Sequence, residues 1–115
     1  MTKKTLRPRF RVFRGREIAI GPGKADLLKA ISETGSINQA ARKLNMSYMR
    51  AWKLIRTMNV CFRHPVIVAS RGGKKKGGTQ LTPSGTRILE LYQRLETESI
   101  QATNKIWKQL LQQLR

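Results

Sequence analysis

Acidic residues are what this chain has least of. Six Asp and Glu stand against 24 Lys and Arg, a formal net charge of +18 in 115 residues. None of the six falls between Glu33 and Glu90, an interval holding eleven Lys or Arg. Solvated protein faces ordinarily mix both signs. A one-signed interval this long therefore points to an anionic partner, which would relieve the self-repulsion of so basic a chain. Scarce carboxylates also leave little for acid–base or metal chemistry. Glu90, Glu96 and Glu98 have no His beside them, the one His is His64, and no Ser–His–acid set can be assembled, so no enzyme is expected. A single cysteine, Cys61, excludes an internal disulfide and agrees with a reducing cytoplasm. Cys61 and His64 fall short of the four ligands usual for zinc. Neither metal nor cofactor is expected; Cys61 reads as a small buried hydrophobe and His64 as a surface residue. No apolar run approaches the roughly 18 residues of a membrane span, and Met1-Thr2-Lys3-Lys4 leads into no apolar core of a secretory signal. One domain with one modest core is expected at this length.

What is present is concentrated in residues 35–59. Ser36 is a good N-cap, with Gln39 completing a capping box. Ile37, Ala40, Ala41 and Leu44 recur at helical spacing, and the run stops at Asn45, which tolerates the left-handed conformation of a sharp turn. Ser47 caps a second helix with a buried stripe of Ala51, Leu54, Ile55 and Met58. Tyr48, Met49, Arg50, Lys53, Arg56 and Thr57 are left on or near its outer face, and Trp52, beside that face, is expected mostly buried. Two short helices and a tight turn, the second helix basic on its outside, form a helix-turn-helix suited to a DNA major groove.

The flanking stretches complete the architecture. Alternation from Arg9 to Ile20 predicts two short strands turning at Arg14-Gly15-Arg16; the five Arg among positions 7–16 either touch phosphate or keep this edge hairpin soluble. A helix begins at or just after Pro22 and stops at Thr34-Gly35, with Asp26 near its start as a structural charge. After Pro65, Val66–Val68 and Thr79–Leu81 read as strands around the cationic loop Arg71-Gly72-Gly73-Lys74-Lys75-Lys76-Gly77-Gly78. Gly72 and Gly77 have P-loop spacing, but Gly78-Thr79 and a strand follow in place of Lys-Ser/Thr and a helix. Such a strand–loop–strand is a wing, able to lie along a phosphate backbone or in a minor groove. Thr82 and Pro83 start a last helix that either runs unbroken to the C-terminus or breaks around Thr97–Ser99. It carries Ile88, Tyr92, Leu95, Ser99, Ala102 and Ile106 at alternating spacings of four and three, with Leu91, Leu110, Leu111 and Leu114 beside them. A helix this long outruns its domain, and a second copy is the simplest cover for the overhang. The fold class is thus α+β, mainly α: a winged helix-turn-helix with a short N-terminal hairpin, a two-stranded wing and a long C-terminal dimerisation helix. Residues 1–82 form the DNA-binding part, with 1–8 frayed, and residues 83–115 the dimerisation helix of the same domain.

Over roughly residues 20–95 the chain resembles the N-terminal domain of the ModE family, the molybdate-responsive transcriptional regulators. The resemblance rests on Thr34-Gly35-Ser36-Ile37, Ala40-Ala41, Ser47-Tyr48 with Ala51-Trp52, Met58-Asn59, the glycine pairs at 72–73 and 77–78, and Leu81-Thr82 followed by Gly85. LysR-type DNA-binding domains look similar over residues 35–59. The resemblance implies a homodimer joined through the C-terminal helix and control of molybdate-uptake or molybdenum-cofactor genes. Family members carry molybdate-binding domains C-terminal to this region. This sequence ends at Arg115, so molybdate is not expected to bind it directly. Lys74-Lys75-Lys76 is more basic than the family pattern.

The expected function is a homodimeric DNA-binding regulator reading a palindrome in the cytoplasm. Arg50 and Lys53 would read bases, Tyr48 and Met49 would touch a thymine methyl or a phosphate, and Arg56 and Arg71 would contact phosphate. Ser36 and Ser47 would present helix starts to the backbone, and Lys74, Lys75 and Lys76 would add non-specific attraction. Ile88, Tyr92, Leu95, Ala102, Ile106 and Leu110 would join two copies. The alternative, supported by charge alone, is a non-specific nucleoid-architectural or RNA-binding protein. A pure protein-interaction dimer fits the acid-free centre poorly.

Overall fold

The computed structural model describes residues 7–70 and 78–115. Its elements run β1 (Val12–Arg14), β2 (Glu17–Ile20), α1 (Pro22–Thr34), α2 (Ile37–Lys43), α3 (Tyr48–Cys61), β3 (Ile67–Ser70), β4 (Gly78–Leu81) and α4 (Pro83–Leu111). Two antiparallel pairs, β1–β2 and β3–β4, flank the three-helix centre. The wing residues Arg71, Lys74, Lys75 and Lys76 lie outside the described residues.

The turn chemistry explains why helices start and stop where they do. Pro22 opens α1, and Gly35 closes it at φ 70°, donating its N–H to the Ile31 carbonyl at 2.8 Å. The Gly35 carbonyl in turn accepts the Thr79 N–H at 2.9 Å, which fastens β4 to the junction of α1 and α2. Ser36 Oγ accepts the Gln39 N–H at 3.1 Å, but the second half of the capping box goes elsewhere: the Ser36 N–H donates to Thr34 Oγ1 at 3.3 Å. Asn45 takes the left-handed conformation, φ 56°, that turns the chain from α2 into α3.

Leu27, Leu28 and Ile31 of α1, Ala40 and Ala41 of α2, and Ala51, Ile55 and Met58 of α3 share one core with Val66, Leu89 and Tyr92. The alanines leave room for α2 and α3 to approach closely; Ala40 and Ala51 are fully buried. Leu54, expected in the stripe, is half-buried. α3 runs one turn past the Met58 end of its stripe, to Cys61, itself half-buried. Behind it, Asn59 Oδ1 accepts the Val66 N–H at 2.8 Å and closes the bend into β3. The start of α4 rests on the same spot. The Thr82 N–H donates to the Val66 carbonyl at 3.0 Å, Thr82 Oγ1 caps the Gly85 N–H at 2.9 Å, and a Cβ at Gly85 would sit 2.1 Å from the Val66 oxygen.

α4 is unbroken for 29 residues, about 44 Å at 1.5 Å per residue. Only Gly85, Leu89 and Tyr92 of it are buried. From Thr97 to Leu111 no residue is buried, so the second half of the helix projects from the rest of the domain. Tyr92 departs from the expected outward stripe. Its ring is 3% exposed in the domain's own core, with its hydroxyl donating to the Phe10 carbonyl at 2.8 Å. Burial pushes the Tyr92 phenol pKa up.

Arg7 also departs from expectation. It donates through Nη1 and Nη2 to Asp26 and through Nε to Glu96, at 2.9–3.2 Å. These bonds hold its pKa above the ordinary arginine value. Asp26 therefore serves as half of a tie between the N-terminal segment and α1, with Glu96 extending the tie to α4, and Arg7 is not free for phosphate.

Candidate nucleic-acid interface

The helix-turn-helix presents the outer side of α3. Ser47 precedes it in extended conformation, and its Oγ accepts the Arg50 N–H at 3.0 Å, fixing where the helix begins. With Ala51, Ile55 and Met58 turned inward, the 100° step of a helix puts Met49, Lys53, Arg56 and Val60 opposite the core. Met49 is 65% and Val60 66% exposed. Arg50 flanks this face on one side, Tyr48 and Trp52 on the other. All six of Tyr48, Met49, Arg50, Trp52, Lys53 and Arg56 are exposed.

Trp52 lies more open than its place in the sequence predicts. Its spacing from Ala51 and Ile55 invites a core assignment, yet it is 44% exposed. Trp52 lies about 100° round the helix from Ala51, outside the buried Ala51–Ile55–Met58 stripe, and its Nε1–H donates to the Tyr48 hydroxyl at 3.1 Å. Tyr48, Met49, Trp52, Lys53 and Arg56 together line one shallow recess on the helix surface.

The charge balance around this face is one-sided. The ion pairs among the described residues join Arg7 to Asp26 and Glu96, Lys43 to Glu33, and Arg94 to Glu98. None engages Arg50, Lys53 or Arg56. Lys24, in the first turn of α1, adds a cation that the sequence reading passed over. Partial burial pushes its pKa down, with Glu17 opposing the shift and the Arg50 charge reinforcing it. Its only sequence signal was its place beside Gly23 at a helix start.

The capping serines keep a donor in reserve. Each uses an oxygen lone pair to hold its helix, which leaves the hydroxyl hydrogen for another acceptor. Among the described residues no three His, Cys, Asp or Glu gather as a metal site, and no helix is long and apolar enough to cross a membrane. His64 is exposed.

On α4, Ile88, Leu91 and Leu95 join Val12 and Phe62 along an apolar recess beside the N-terminal hairpin. Ile106 and Leu110, each 60% exposed, continue that line onto the projecting half, where Ala102 is also exposed. A second strip, Ile100, Trp107 and Leu111, extends the Leu89 side of the helix; Ile100 and Trp107 were not singled out from sequence, and their signal was the same seven-residue period, one face over.

A family model described as bacterial regulatory helix-turn-helix protein, lysR family, matches residues 24–86. The molybdenum transport protein ModE of Azotobacter vinelandii is 41% identical over 92 residues, 80% of this chain and 34% of that protein. The transcriptional regulator ModE of Haemophilus influenzae is 44% identical over 77 residues, covering 67% and 30%. The DNA-binding transcriptional dual regulator ModE of Escherichia coli K12 is 40% identical over 74 residues, covering 64% and 28%. The chain thus spans about a third of the length of these relatives. Among solved structures, the CbnR_DBD–DNA complex superposes with a TM-score of 0.60 at 16% identity, over 76% of this chain and 95% of that one. The LysR family transcriptional regulator VV2_1132 superposes with a TM-score of 0.58 at 14% identity, over 80% and 30%. A 63-residue match, centred on the helix-turn-helix and reaching from the start of α1 through the wing to Gly85 and Thr86, places this chain in the lysR family of bacterial regulatory helix-turn-helix proteins, with ModE proteins among its relatives.

Proposed function

We propose that this chain is the DNA-reading part of a sequence-specific transcriptional regulator that acts as a homodimer. The observation that carries the reading is the outer side of α3: Arg50, Lys53 and Arg56 are exposed on the second helix of a helix-turn-helix, and no carboxylate pairs with them among the described residues. In this reading α3 enters the major groove, where Arg50 and Lys53 donate to guanine O6 and N7. Arg56, the free hydroxyl hydrogens of Ser36 and Ser47, and the wing cations Arg71, Lys74, Lys75 and Lys76 contact phosphate, which fixes register without reading sequence. Two copies joined along Ile88, Leu95, Ala102, Ile106 and Leu110 of α4 would set two α3 helices about 34 Å apart, one DNA turn, so that the dimer reads a palindrome. The names of the relatives, molybdenum transport protein ModE and transcriptional regulator ModE, suggest genes of molybdenum handling as targets and a cytoplasmic site of action.

Selection of bound sites from random duplex DNA, with and without molybdate, tests this. Enrichment of a two-fold symmetric site is the expected outcome. Recovery of duplexes with no shared sequence, bound as tightly as any other, would refute it in favour of a non-specific architectural role.

A further inference from the structure

We infer that the Trp52–Tyr48 pair, with Met49, forms a reader for the C5-methyl group of thymine; this rests on the major-groove reading of α3 above. An indole carries one polar hydrogen and no acceptor, and here that hydrogen is engaged by the Tyr48 hydroxyl at 3.1 Å. What Trp52 turns outward is therefore wholly apolar. Met49 beside it, 65% exposed, adds a flexible thioether with no donor. The hydrogen bond ties two aromatic side chains one helical turn apart into a single platform, so little side-chain freedom remains to be lost on binding.

The surroundings narrow the occupant. Lys53 and Arg56 complete the lining of the same recess, and no carboxylate is among its residues. An apolar floor rimmed by unpaired cations suits a polyanion that carries an apolar group between its phosphates. In the major groove of DNA the base edges present donors and acceptors, and the apolar group among them is the thymine methyl. Tyr48, Met49 and Trp52 lie in the first half of α3, the half that a recognition helix brings to base edges. Arg56 thus positions the helix on phosphate while the platform distinguishes T·A from C·G by an apolar contact.

The test replaces the thymines of a selected site by deoxyuridine one at a time. Each exchange removes a methyl group and keeps every hydrogen-bonding atom of the base. At one or two thymines in each half-site, uracil weakens binding of the full chain by about fourfold, the effect of one buried methyl group. Cytosine carrying a 5-methyl group at the same position recovers part of the loss from the apolar contact. In Trp52→Ala the affinity for the thymine site falls toward that of the parent on the uracil site, and uracil then makes little further difference, the non-additivity expected of groups in contact. If uracil is tolerated at every position, or if Trp52→Ala leaves uracil sensitivity intact, the methyl reader is refuted while a selected site still stands. If no site is selected at all, the regulator reading itself fails, and with it this one.

Discussion

Replacing Gly85 by alanine separates tertiary packing from intrinsic helix preference, because the two predict opposite signs. Inside a helix, Gly→Ala ordinarily stabilises by about 1 kcal/mol. Here the added Cβ would stand 2.1 Å from the Val66 oxygen and 2.9 Å from its carbonyl carbon, both backbone atoms. Ordinary carbon–oxygen contacts begin near ~3.3 Å, so the start of α4 would have to move by on the order of 1 Å. Val66 is fully buried, held on one side by Asn59 and on the other by the Thr82 N–H at 3.0 Å. It has little room to yield. Overpacking of a core typically costs about 1–3 kcal/mol, and loss of the Thr82 bond adds about 1 kcal/mol. Set against the ~1 kcal/mol helix gain, the net expectation is destabilisation by about 1–3 kcal/mol, a fall in Tm of about 5–20 °C for a domain of this size. Thermal denaturation followed by circular dichroism, at one fixed protein concentration because association would shift Tm, gives the answer. A Tm equal to or above that of the parent would refute the claim that the close approach of α4 to Val66 organises this end of the molecule.

Three further outcomes follow from the geometry. Asn59→Ala leaves the Val66 N–H without its partner and should destabilise by roughly 1–3 kcal/mol in urea unfolding, an effect absent if water takes over that bond. Ser47→Ala should cost about 1 kcal/mol through loss of the cap on Arg50, whereas Ser47→Asp keeps the cap yet weakens DNA binding by adding negative charge at the proposed phosphate side; unchanged binding by Ser47→Asp would count against that placement. Lys43 donates to Glu33 at 2.7 Å and holds its carboxyl below the usual range. A depressed folded-state pKa contributes stability above the unfolded value and loses it as pH falls through the folded one. Glu33→Gln should therefore unfold more readily than the parent at neutral pH and match it in acid, and a difference that persists or grows below the carboxylate range would contradict the pairing.

Local chemistry made most of the fold legible. The sharp boundaries were those where one residue type answers one backbone need: Pro22 at the start of α1, Gly35 at φ 70° after it, Asn45 at φ 56° before α3, and Ser47 and Thr82 as caps. Some of the readings that changed depended on neighbours distant in sequence. Tyr92 fits the heptad of α4, but the domain claims its ring, and Phe10, 82 residues away, claims its hydroxyl. Trp52 sits beside a buried stripe, yet its indole is exposed and tied to the Tyr48 hydroxyl. Arg7 looked like one of several basic residues until the fold brought Asp26 and Glu96 to it. The cationic face itself was plain in the sequence because charge of one sign, unlike packing, needs no partner to be recognised.

In the proposed complex Lys53 on α3 touches bases rather than merely adding charge. Dissociation constants of the parent and Lys53→Ala, measured at one salt concentration on the selected site and on a random duplex, test it directly. A specific contact predicts a loss of roughly 1–3 kcal/mol, about 5- to 150-fold, on the selected site and a much smaller loss on random DNA. Equal losses on the two duplexes would show that Lys53 supplies only non-specific attraction and would rule out base reading by this side chain.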